Sequence, residues 1–221
     1  MKTAETKTTK SEFTNGESMV LDEKNDVFST IDTVLSLDTI KNIDIKSYFD
    51  STIKVLLEDL RFHYRIFRLI AFEAGEFYGY TDRISIINLA ILSLINDIEY
   101  RNPIDITIEK GEGSYKISYE VMVKEKTITD WEKSKELFPS VANIESYIRC
   151  VCNQDENVCK VSITQRKLKV ELIINAQPLV NASLACDPFG NEERELITKY
   201  LDVFFKPIAI IDGEIEEESE Q

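Results

Sequence analysis

The sequence predicts an α+β fold, an N-terminal antiparallel helical hairpin followed by an α/β sandwich. Three observations point to it. Up to about residue 100 the apolar residues recur at helical spacing. Beyond that they alternate in short runs broken by glycine, proline and asparagine. The second half then reads helix, hairpin, helix, hairpin, an order that places helices on one face of a sheet.

The 221 residues, 43% of them hydrophobic, suffice for a proper core and exclude disorder of the whole. A formal charge of −14, from 40 acidic and 26 basic residues, argues against nucleic acid or anionic membrane as partner. Protein partners are expected instead. No apolar run approaches the length of a membrane span and the first 24 residues are polar, so a cytoplasmic location is expected.

Residues 1–24, rich in Thr, Lys, Glu and Ser, read as a flexible arm. From Val27 the stripe Phe28, Ile31, Val34, Leu35, Ile40 predicts a helix ending near Asn42, with Asn25 or Asp26 as its N-cap. A second helix is predicted over about residues 44–74, carrying Phe49, Ile53, Leu56, Leu60, Tyr64, Phe67, Ile70 and Ala74 on one side. At 1.5 Å per residue it is a rod of ~45 Å. Two such helices, each with one apolar stripe, bury them by pairing into a four-helix bundle across a homodimer. Residues 75–79 close the hairpin.

Residues 83–99 predict a helix apolar on more than one side, hence well buried, and Asn102-Pro103 stops it. Ile104, Ile106 and Ile108 alternate, residues 111–114 turn the chain, and Tyr115, Ile117, Tyr119, Val121 and Val123 alternate back. A helix over 141–151 and a second hairpin follow, with Val161 and Ile163 facing Leu168, Val170, Leu172 and Ile174. A further helix is expected from Asn191 to Phe205, then an acidic tail. Domains are therefore expected at 1–24 (arm), 25–80 (hairpin), 81–175 (α/β domain) and 176–221 (C-terminal extension). Cys150, Cys152, Cys159 and Cys186 are too few for a disulfide scaffold and read as buried thiols rather than a zinc site, since the single histidine, His63, is distant in sequence.

Certain short motifs resemble a known family. Asn25-Asp26-Val27-Phe28-Ser29-Thr30 is similar to the His-Asp-hydrophobic pair-Ser-Pro opening of the first helix in ChpT-type histidine phosphotransferases of alphaproteobacteria, with Asn25 where that family has histidine. Residues 67–75, Phe-Arg-Leu-Ile-Ala-Phe-Glu-Ala-Gly, resemble the signature closing its second helix. The resemblance covers about residues 25–175. It implies a dimerising hairpin and a histidine-kinase-ATPase-like domain, with phosphoryl groups passing between receiver domains of a hybrid kinase and of response regulators. In kinases the buried helix supplies two asparagines to Mg²⁺ and ATP. Here residues 92–100, Leu-Ser-Leu-Ile-Asn-Asp-Ile-Glu-Tyr, keep Asn96 and place Leu92 at the other position. Where a kinase shows Asp-x-Gly-x-Gly, this chain continues Met122-Val123-Lys124-Glu125-Lys126. No ATP site is legible, no cofactor or metal is expected, and an ATP-dependent kinase is argued against.

Relay chemistry needs a nucleophilic imidazole, and the amide of asparagine is not one. The resemblance thus implies a catalytic position made of Asn25, Asp26 and Ser29 whose phosphoacceptor is lost, while Asn25 is equally read as a plain helix cap. His63 is expected at the edge of the buried stripe of the second helix. Arg61, Arg65 and Arg68 fall on one side of that helix and, with Val27 and Phe28, are candidates for docking an acidic receiver domain; pairing with Glu58 or Asp59 on a solvated face is the competing reading. The rival function is a non-catalytic dimeric scaffold outside phosphorelay signalling.

Overall fold

The computed structural model describes residues 40–73, 75–133, 139–154, 156–177, 182–183 and 190–205. The predicted first helix lies outside the described residues up to 39. Its expected end does not: Ile40–Asp44 is a strand, β1. Asp44 then caps helix α1, Ile45–Glu58, its carboxylate accepting the Ser47 N–H at 2.7 Å. Ile45, Tyr48, Phe49, Thr52, Val55 and Leu56 form the buried face of α1.

The long second helix is corrected by the structure, because α1 stops at Glu58. Asp59 carboxylate oxygens accept both the backbone N–H and the guanidinium of Arg61, giving the chain a local alternative to the helical ladder. A 3-10 turn at Leu60–Phe62 follows. Residues 67–72, expected to be helical, form strand β2 (Phe67–Phe72). Gly75, where a Cβ would run into the Tyr115 hydroxyl, leads into strand β3, Glu76–Tyr80, rather than a helix-closing turn. Among the described residues of 44–74 there is no rod and no second arm of a hairpin.

Helix α2, Thr81–Ile98, comes next, followed by the hairpin of β4 (Ile104–Gly111) and β5 (Ser114–Met122). Gly113, at φ +68°, makes the two-residue turn in a backbone region that glycine adopts without strain. Helix α3 spans Glu125–Lys133 and α4 spans Pro139–Gln154. Strands β6 (Val158–Thr164) and β7 (Lys167–Asn175) form the second hairpin. A two-residue strand β8, Ala182–Ser183, and helix α5, Asn191–Phe204, complete the described chain. The predicted helices at 83–99, 141–151 and 191–205 and both hairpins are thus present.

The strands form a sheet in the order β2-β4-β5-β7-β6 and a small sheet in the order β3-β1-β8. In the larger sheet β2 runs parallel to β4 and the other neighbours are antiparallel. Alternation puts Ile104, Ile106 and Ile108 of β4, Ile117 and Tyr119 of β5, and Val170 and Leu172 of β7 in the core. The opposite face carries Lys116, Lys167 and Lys169 paired with Glu109, Glu120 and Glu171.

Only Asp82, Asn96 and Asp97 of the 18 residues of α2 escape burial, and the reason is a third layer. Asn88 accepts a hydrogen bond from Tyr119 of the sheet at 2.5 Å, whereas the Ser93 hydroxyl donates to the Phe204 carbonyl of α5 at 2.6 Å. Five residues along a helix amount to ~140° around its axis, so α5 covers the side of α2 turned away from the sheet. Ile197, Tyr200, Leu201 and Phe204 of α5 are buried there, and Phe204 meets the Tyr147 ring of α4 edge-on at 5.3 Å. Helix α5, within the stretch expected to be a C-terminal extension, is therefore part of the core. Among the described residues, no helix is long and apolar enough to cross a membrane.

Candidate functional site

Asn25, Asp26, Val27, Phe28 and Ser29 lie outside the described residues. The three arginines do not form a stripe, because the helix that would align them ends before the first of them. Each has its own task.

Arg61, in the 3-10 turn, grips Asp59 through Nε and Nη2, both at 2.8 Å. Its Nη1 donates to the carbonyls of Leu201 and Phe205, each at 3.2 Å, and to the Asp202 carboxylate at 2.9 Å. These carbonyls belong to the C-terminal turn of α5 and the residue after it, where a cation complements orphan acceptors and the negative end of the helix dipole. The Arg61 guanidinium bonded to it holds the Asp59 carboxyl below its ordinary range, burial acting the other way. Arg65 is buried and donates to the Glu99 carbonyl at 2.7 Å, at the C-terminal end of α2. Burial draws its guanidinium down to about 10, so it stays charged at neutral pH. Arg68, on β2, is exposed and forms a fork on Asp105 at 2.6 and 2.9 Å. His63, expected beside a buried stripe, is exposed after the 3-10 turn and meets the Tyr64 ring edge-on at 5.3 Å.

The positions compared with a kinase nucleotide site lie on α2, at the end of β5 and on α3. Leu92 is buried in α2, while Asn96 is half-buried one turn on. At the end of β5, Val123 is buried and its N–H donates to the Arg166 carbonyl at 2.9 Å. Instead of a glycine loop the chain enters α3, whose Ile128 and Trp131 pack against the core. Val141, Ile144 and Ile148 of α4 are buried in the same core. Leu92 and Val123 thus both belong to the buried apolar core. A buried leucine and valine offer no ligand to a cation or to an adenine amino group.

A third neighbourhood was not visible in the sequence. Lys41 of β1, mostly buried, forms an ion pair with Glu193 of α5, which is buried, and lies 3.7 Å from Glu192. The second oxygen of Glu193 accepts the Gly190 N–H at 2.8 Å, capping α5. Burial works to lower the Lys41 ammonium, and contact with Glu193 outweighs it and lifts the group above its ordinary value. Burial also raises the nearby Asp82 carboxyl, with Lys41 pulling it down and Glu193 pushing it up. Inside this cluster the Tyr48 hydroxyl lies 2.5 Å from that of Ser85 and donates to the Thr81 carbonyl at 3.3 Å. The network joins β1, α1, α2 and α5, so its evident work is to fix the small sheet onto the helices. Among the described residues no three His, Cys, Asp or Glu side chains converge as a metal site would require.

Comparison with known proteins places this geometry. No family model matches the chain, and no curated protein does. Solved structures do. The histidine kinase AdeS of Acinetobacter baumannii superposes with a TM-score of 0.52 at 13% identity, covering 73% of this chain and 79% of the other. A histidine kinase from Burkholderia phymatum STM815 superposes with a TM-score of 0.50 at 10% identity, over 73% and 80% of the two chains. At such identities the likeness is one of architecture: the chain has a histidine-kinase-like fold.

Proposed function

We propose that this chain is a phosphorelay signalling protein that docks response-regulator receiver domains without hydrolysing or transferring ATP phosphate, and that its own phosphoacceptor is lost at Asn25. The observation that carries the reading is the pairing of a histidine-kinase-like fold with an apolar interior at Leu92 and Val123. That pairing supports a reading in which the architecture and a docking role are kept while nucleotide chemistry is lost. The resemblance of residues 25–30 to a phosphoacceptor helix supplies the expected partner class, and homodimerisation through residues preceding β1 belongs to the same proposal. The three arginines no longer support the docking site, since Arg61 and Arg65 are spent on helix ends and Arg68 on Asp105.

The test is incubation of the purified chain with receiver domains carrying radiolabelled aspartyl phosphate, followed by size-exclusion chromatography. Co-elution with no label on this chain is expected. Label on the chain would overturn the loss of the acceptor, and absence of co-elution with every receiver domain of the source organism would overturn the docking reading.

A further inference from the structure

Among the described residues β2 pairs with β4 alone, so one edge of the larger sheet is open. The Ile66 carbonyl accepts the Ile104 N–H, Phe67 pairs in register with Ile104, and Leu69 with Ile106. Successive residues of a parallel strand alternate in the side to which they present N–H and C=O. Ile66 and Arg68 therefore bond to β4, whereas Phe67 and Leu69 present their backbone groups to the open edge. The register shift between Leu69 and Ala71 ends this even stretch. Open edges are commonly guarded by lysine or proline, and β2 has neither.

The strand is complementary to itself. Residues 66–70 are Ile-Phe-Arg-Leu-Ile, an order chemically alike in both directions. Laid antiparallel about a two-fold axis at Arg68, Phe67 of one copy faces Leu69 of the other and the two exchange their outward N–H···O=C bonds. Ile66 of one copy then faces Ile70 of the other. These two side chains share the outer face with Arg68 and are 55% and 59% exposed, so their pairing removes apolar surface from water. Phe67 and Leu69, packed against the core, continue it across the junction on the inner face. The two central arginines would repel each other if bare, but each is forked on its own Asp105.

Charge favours a second copy at this edge despite the −14 of the chain. Residues 60–72 hold three arginines and no acidic residue, so two acidic chains meet here without bare carboxylates facing one another. Charges farther apart than ~8 Å are largely screened at physiological salt. The five paired residues of each copy, with the exposed Tyr64 beside them, bury on the order of 1,000 Å² in total, the lower bound for a specific interface. That size fits a reversible dimer with a dissociation constant on the order of micromolar.

We propose that two copies of the chain join antiparallel through β2, centred on Arg68, to make one continuous sheet across the dimer. This contact is separate from the homodimerisation proposed above for residues preceding β1.

Two measurements on the full chain test it. Light scattering should show a mass that doubles with concentration across the micromolar range, and over the same range the Phe67 and Leu69 amides should gain at least tenfold protection from hydrogen exchange. Leu69→Pro removes an N–H turned away from β4 and should abolish both effects while β4 and β5 amides keep their protection. Mild oxidation then reads the register. The two copies of residue 68 face each other as a non-hydrogen-bonded pair with Cα atoms ~4.5 Å apart, a span that a disulfide bridges. Arg68→Cys should therefore form a covalent dimer at least tenfold faster than Ile70→Cys. A mass independent of concentration overturns the proposal, as does Arg68→Cys cross-linking no faster than Ile70→Cys. A mass that doubles while exchange at Phe67 and Leu69 is unchanged overturns it too, and assigns the association to the residues preceding β1 instead.

Discussion

Arg61→Met separates a structural arginine from a docking one. The substitution keeps the aliphatic length and removes every side-chain donor, leaving the Leu201 and Phe205 carbonyls and the Asp59 carboxylate without their common partner. A hydrogen bond involving a charged group is worth ~1.5–3 kcal/mol net. Orphaned acceptors at a helix end and the lost dipole interaction add to this. Since the Arg61 side chain is only 13% exposed and Asp59 22%, solvent replaces little of the loss, and about 3 kcal/mol of destabilisation is expected. With a urea slope of ~2–3 kcal/mol per M, the midpoint should fall by about 1 M at unchanged slope. Arg61→Lys keeps the charge without the fork and should recover less than half. The pH dependence has a definite sign. Asp59 is held below its unfolded value, so its contribution is present above about pH 4 and disappears as pH falls through the folded value. The gap between parent and Arg61→Met should therefore narrow below pH 4. An unchanged midpoint at pH 7, together with lost receiver-domain binding, would refute this account and return Arg61 to the docking surface.

Other outcomes are accessible to the same measurements. Glu193→Ala strands Lys41 in a mostly buried site and should cost about 3–5 kcal/mol in urea unfolding, whereas the pair Lys41→Met with Glu193→Leu should recover most of it. Leu92→Asn restores the residue type of a kinase at that position. It should nevertheless lose about 3 kcal/mol and gain no ATP affinity by fluorescence titration, because the position belongs to the buried apolar core. Burial pushes the Cys159 thiol up to about 12, so iodoacetamide at pH 8 should label it only after urea unfolding, as read by peptide mass.

What the sequence made legible follows from locality. Strict alternation at Ile104, Ile106 and Ile108, or uniform apolarity along α2, admits one element type at one length, and the structure has that element. Residues 59–72 admit two. Leu60, Tyr64 and Phe67 fit a helical stripe, yet Phe67 and Leu69 fit a strand equally well. The decision rested on Asp59 capturing Arg61 and on β4 offering a ladder to residues 67–72. The expected arginine stripe inherited that choice, and the structure sets Arg61 in a 3-10 turn and Arg68 on a strand instead. The ion pair of Lys41 with Glu193 joins residues 152 positions apart, beyond the reach of any local pattern. The role of α5 was hidden for the same reason: its amphipathic stripe was readable, but not that α2 would be its partner.

The burial of α2 between sheet and α5 also sets a schedule for synthesis. Ile40 of β1 finds its partner Ala182 only after most of the chain has been made, and Ser93 finds Phe204 later still. At ~5–20 residues per second, the apolar outer side of α2 emerges from the ribosome on the order of ten seconds before the helix that shields it. During that interval the nascent chain exposes Ile86 and Leu89, which lie within ~40° of Ser93 around the helix axis, before α5 exists to cover them, a natural binding window for a chaperone that grips short apolar helices.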